Sequence, residues 1–113
     1  VIEQEVETLG PKDQDSIVTL QPQLRWKRFT PGFRFSYFIE IYTDETEPKL
    51  KWSKEKISSD SIDIIVDPPI VPTPTNDEYF WVIWCIDEFG NRSRSKPASF
   101  LIIQQKQYIK ISQ

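Results

Sequence analysis

Apolar and polar positions alternate along the chain in short runs, and one run has no polar member. Residues 79–87 read YFWVIWCID, with eight consecutive apolar positions rich in β-branched and aromatic types, bounded by Asp77 and Glu78 before and Asp87 and Glu88 after. A run of that length and composition is expected to form a central strand buried on both faces. A membrane-spanning helix needs roughly 20 apolar residues, so no membrane insertion is expected. The flanking acids read as gatekeepers that limit aggregation. Residues 33–42 keep a strict period of two, with Phe35, Tyr37, Ile39 and Ile41 on one face and Arg34, Ser36, Phe38, Glu40 and Tyr42 on the other. The same period predicts strands at 61–66 and 99–103 and, interrupted at Pro22, through Val18, Leu20, Leu24 and Trp26.

The intervening residues supply turns. Gly10-Pro11, the polar stretch 12–15, Pro31-Gly32, Asp67-Pro68-Pro69 and Gly90 break the runs, and the charged residues 43–51 lead to a short edge strand around Trp52. Residues 68–74 (PPIVPTP) hold too many prolines for a ladder strand, so they are expected to cross from one sheet to the other, with a proline-rich recognition motif as the functional alternative. The basic cluster Arg25, Lys27, Arg28 and Arg34 reads as a solvated loop. Together these signals predict an all-β fold, an antiparallel two-sheet β-sandwich of about seven strands. Residues 1–8 form an N-terminal edge strand or linker, 9–103 the sandwich, and 104–113 a C-terminal tail or the start of a linker.

Composition sharpens the picture by exclusion. At 113 residues the chain makes one domain, and nine Pro, four Trp and seven Phe favour strands and turns over helices. A net charge of -3 argues against nucleic acid, which selects a basic excess. The absence of His removes the Ser-His-Asp and Cys-His nucleophilic systems and the imidazole zinc site. The three glycines are isolated, so no phosphate-cradling loop is present, and no enzyme and no cofactor are expected. Asp13 with Asp15, and Asp44 with Glu45 and Glu47, lack the spacing of a dedicated calcium loop and read as solvated turns, so no metal is expected. One Cys cannot make an intrachain disulfide, and Cys85 is expected to be an inert core thiol. Asn91-Arg92-Ser93 fits the glycosylation acceptor pattern. The chain begins at Val1 without a signal segment, which points to a piece of a longer protein.

Pro22-x-Leu24-x-Trp26, the Tyr37 strand, Tyr79-x-Trp81-x-Ile83-x-Cys85-x-Asp87, Gly90-Asn91-Arg92-Ser93 and Ser99-Phe100 resemble, in that order, a fibronectin type III or related immunoglobulin-like domain. The resemblance covers roughly residues 9–103. It implies that Tyr79 forms a tyrosine corner, with Trp81 and Cys85 as bulkier departures from the usual pattern. The Tyr79-Phe80-Trp81 start is similar to modules of multidomain bacterial surface or envelope proteins, which implies an extracytoplasmic location. With Tyr79, Trp81, Ile83 and Cys85 inward, Phe80, Val82, Trp84 and Ile86 face outward, joined by Phe38, Tyr42, Leu101 and Ile103. Aromatic side chains of about 150–250 Å² each would make this a larger apolar patch than a lone sandwich exposes to water. Either residues 43–60 or the tail cover it, or it docks a protein: a neighbouring domain, a second copy or another chain. The function expected is therefore a non-catalytic interaction or spacer module. The alternative is carbohydrate binding through Trp52, Trp84 and Tyr42, which requires hydrogen-bonding neighbours; the neighbours in sequence are mostly aliphatic.

Overall fold

In the computed structural model, which describes residues 4–72 and 77–103, the predicted runs become strands but there are more of them than the pattern shows. The described residues contain β1 (Thr8–Gly10), β2 (Asp15–Ile17), β3 (Gln23–Trp26), β4 (Phe35–Thr43), β5 (Leu50–Ile57), β6 (Asp63–Ile65), β7 (Glu78–Asp87), β8 (Arg92–Arg94) and β9 (Ala98–Ile102). The small sheet has the order β1-β3-β6, and the large one the order β2-β9-β7-β4-β5 with β8 also paired to β7. Nine strands replace the expected seven or so because two elements are split. The first chain segment leaves β1 beside β3, turns through Lys12–Asp15 and rejoins the other sheet as β2. That turn is held by the Asp15 amide donating to the Lys12 carbonyl and by the Asp15 carboxylate accepting the Lys12 amide. The last segment is split at Ser95 and Pro97: the Ser95 hydroxyl accepts the Ile83 amide at 3.0 Å, and Pro97 has no amide to donate. β8 and β9 therefore lie in line along β7. β2 pairs with β9 in parallel, the exception to an otherwise antiparallel ladder.

The strand at the centre behaves as its composition predicts. β7 has β4 on one side and β8 and β9 on the other, and Tyr79, Trp81, Ile83 and Cys85 are fully buried between the sheets. They meet Tyr37, Ile39 and Ile41 of β4, Leu24 and Trp26 of β3, and Phe100 and Ile102 of β9 in one core cluster. Two core indoles are handled differently. Trp81 donates its Nε1 to the Pro11 carbonyl at 2.8 Å, tying the β1–β2 connection to the large sheet. Trp26 packs edge-on to Tyr37 at 5.2 Å, and its Nε1 is a buried donor without an acceptor. The Tyr37 hydroxyl accepts the Phe29 amide at 3.1 Å, which draws Phe29 into the core from the loop before β4.

Several sequence expectations are corrected. Trp52 is 8% exposed, inside the core, with its Nε1 on the Asp67 carbonyl at 3.2 Å, so it offers no ring to a sugar. Val18 and Leu20 are exposed and precede β3 instead of belonging to it, whereas Val6 is buried ahead of β1. Residues 43–60 do not fold over the outer face: β5 extends the large sheet sideways as its edge strand, and Lys56, at φ 59°, lies where the register with β4 shifts. The connection after β6 does cross from the small sheet to the large one. Its residues 73–76 lie outside the described residues, as does the tail 104–113.

Candidate functional site

The outer face of the large sheet is assembled by strand register. Because β4 and β7 are antiparallel neighbours, Phe38 stands opposite Trp84, Glu40 opposite Val82, and Tyr42 opposite Phe80. β8 continues the first of these rungs, placing Arg94 beside Trp84, and also the Ser36–Ile86 rung, placing Arg92 beside Ile86. The rings of Tyr42 and Phe80 stack at 5.4 Å with 19° between their planes. Seven of the eight residues expected on this face come from β4, β7 and β9 as predicted, and Ile103 follows directly after β9.

Its chemistry is not the aliphatic patch expected from the sequence. Glu40 sits at the centre and uses both carboxylate oxygens on aromatic donors. Oε1 accepts the Trp84 indole N–H at 2.8 Å, and Oε2 accepts the Tyr42 hydroxyl at 2.7 Å. The guanidinium carbons of Arg92 and Arg94 lie over the Trp84 ring at 5.6 and 5.7 Å from its centroid. Such contacts contribute about 0.5–1 kcal/mol each at exposed sites, so Trp84 is held from its edge and by its π system. The Tyr42 hydroxyl is pushed up from its ordinary pKa, first by the bond to Glu40, then by burial and the Glu40 charge, with Arg94 opposing.

Burial follows from this layer of long side chains. Val82 points outward yet is 1% exposed, which corrects its place among the docking residues: it is a floor, not a contact. Phe38, Tyr42, Phe80, Trp84, Ile86 and Leu101 are half-buried, and Ile103, at 46%, is the exposed member. Sequence reasoning missed Glu40, Arg92 and Arg94. A signal was present: Glu40 alternates between Phe38 and Tyr42, and Arg92 and Arg94 are themselves two apart, so period two places each set on one face.

At the end of the face where β4 begins, a depression of about 230 Å³ is lined by Arg34, Phe35, Ser36, Ile86, Asp87 and Glu88. The turn after β7 rises beside it. The Asp87 carboxylate accepts the amides of Phe89 and Asn91 and the Asn91 side-chain amide at 2.8–2.9 Å, and Gly90 takes φ 87°. These bonds, the Asn91 side chain first, hold the Asp87 carboxyl below its ordinary pKa. At the tip Phe89 is 83% exposed. The acceptor nitrogen of the glycosylation pattern, Asn91 Nδ2, is engaged in this turn.

No protein-family model matches the chain, and no curated protein sequence matches it. Its fold is similar to a solved one. The crystal structure of CopC from Methylosinus trichosporium OB3b superposes with a TM-score of 0.56 at 15% identity, covering 91% of this chain and 98% of that one. At that identity the likeness concerns the all-β sandwich fold alone. Among the described residues no three His, Cys, Asp or Glu side chains converge. Of the carboxylates weighed for calcium, Asp15 and Glu45 serve their own turns, Glu45 accepting the Thr43 hydroxyl at 2.5 Å. No helix among the described residues is long and apolar enough to cross a membrane.

Proposed function

We propose that this chain is a non-catalytic interaction module of a larger, extracytoplasmic protein, docking a protein partner through the outer face of its large sheet. The strand order supports a sandwich of the fibronectin type III and immunoglobulin kind. β1, β3 and β6 correspond to strands A, B and E of one sheet, and β4, β7 and β9 to C, F and G of the other, with β5 extending the second sheet beside C. Tyr79 at the start of β7, buried and stacked on Phe100 at 5.6 Å, is where a tyrosine corner belongs.

The observation that carries the reading is the fixed Trp84: its indole is bonded to Glu40 and lies against two guanidinium groups while the ring stays half-exposed. Tryptophan and arginine dominate the energetics of protein interfaces, and side chains already ordered in the free protein lose less entropy on binding. Hydroxyl-radical footprinting of the isolated chain and of the longer protein tests it. Docking predicts that Trp84, Phe80 and Tyr42 are protected in the longer protein or with its partner, and that Trp84→Ser removes the association while the domain stays folded. Equal reactivity in both settings refutes it. The sugar-binding alternative gains one observation, since the exposed aromatics do have hydrogen-bonding neighbours in Glu40, Arg92 and Arg94. A glycan screen in which binding is lost with Trp84→Ser would favour that reading.

A further inference from the structure

Arg34, Arg92 and Arg94 gather at one corner of the outer face, and we propose that this corner is the docking site for an extended acidic segment of a partner protein with carboxylates at alternate positions. The inference rests on the docking reading above and names the chemistry of the partner. Among the described residues none of the three guanidinium groups is in an ion pair. Glu40, the carboxylate closest in register to Arg94, has both oxygens occupied by Trp84 and Tyr42. Three arginines without an ion pair among the described residues thus share a corner of a chain whose net charge is -3. Arg28, in the same basic stretch of sequence, is by contrast used internally, donating to the Asp60 carbonyl at 3.1 Å.

Geometry favours a peptide over a bare anion. Arg92 and Arg94 are alternate residues of one strand, so their origins are about 7 Å apart along it, the repeat of same-side residues in any extended segment laid alongside. The Arg92 and Arg94 guanidinium carbons both lie over the Trp84 ring, at 5.6 and 5.7 Å from its centroid, and are carried there from successive same-side positions of β8. Arg34 lines a depression together with Ser36 and Ile86, which suits the small or apolar residues between the carboxylates, and Asp87 and Glu88 are the acidic members of the lining. A guanidinium offers a planar fork that matches a carboxylate, and stacking on Trp84 holds that fork in place before binding.

The test is a titration of the isotope-labelled full chain with an alternating Glu-Thr octapeptide, its Gln-Thr counterpart and tripolyphosphate. The expected result is saturable movement of the Trp84 indole N–H and of the Arg92 and Arg94 Nε–H resonances with the Glu-Thr peptide. The Gln-Thr peptide should bind at least about tenfold more weakly, and so should Glu-Thr to R92Q/R94Q, which should stay folded with a melting temperature lowered only by the few degrees that the lost contacts to Trp84 imply. Equal binding of the two peptides, unchanged binding by R92Q/R94Q, or tripolyphosphate matching the Glu-Thr peptide in affinity and shifts would overturn the proposal. Footprint protection of Trp84 in the longer protein together with an inert Glu-Thr peptide would also overturn it, leaving docking intact; absence of that protection removes the docking reading itself.

Discussion

Trp26 and Trp81 are 1% and 0% exposed, so replacing each with Phe removes the same atoms from equally buried positions. Their indole nitrogens differ: Trp81 Nε1 is bonded to the Pro11 carbonyl, and Trp26 Nε1 has no acceptor. Loss of a few ring atoms from a close-packed core costs on the order of 1–2 kcal/mol at either position. Trp81→Phe also leaves the carbonyl of the buried Pro11 without its donor, an additional cost of about 1–3 kcal/mol. Trp26→Phe removes a donor that was already buried and unpaired, which returns part of the packing loss. Trp81→Phe should therefore be less stable than Trp26→Phe by about 2 kcal/mol, or roughly 8 °C in melting temperature for a domain near 100 residues. Urea denaturation and calorimetry of both variants measure the difference. Equal midpoints, or a larger loss in Trp26→Phe, would show that the Trp81–Pro11 bond does not tie the β1–β2 connection to the core.

Cys85, fully buried and with its thiol pushed up to about 11 by burial and then by the Asp87 charge, should resist a thiol reagent at pH 8 until the domain unfolds. Because its folded pKa lies above the ordinary value of 9.0, its contribution to stability is complete below that value and is lost as pH rises toward 11, so alkaline melting curves should fall across that window. For Asp87 the sign is opposite: its carboxyl is held low, so the stabilisation of the turn is present above the ordinary carboxylate range and is lost as pH falls through the depressed value. Asp87→Ala should speed amide exchange at Phe89 and Asn91 while core amides stay protected; unchanged exchange there would remove the carboxylate from its role in the turn.

Much of this protein is legible in its sequence because β structure repeats every two residues. Given that period, Tyr37, Ile39 and Ile41 must share one face and Phe38, Glu40 and Tyr42 the other; the same holds for Trp81 and Trp84 on opposite faces of β7. An apolar run bounded by acids was enough to identify the central strand. Tertiary structure decided what alternation cannot carry: which strands become neighbours and which side chains meet across them. The parallel pairing of β2 with β9 joins residues more than 80 positions apart, and nothing local in Asp15-Ser16-Ile17 encodes it. Trp52 reads as an edge residue, yet the crossing of the chain to Asp67 closes over it. The outer face changed most. Its residues follow from periodicity, but its chemistry depends on a register that sets Glu40 where Trp84 and Tyr42 both reach it, and Arg94 beside Trp84. Cross-strand distances of about 5 Å determine those contacts, and they exist only once β4 is laid beside the β7–β8 hairpin, which is remote from it in sequence.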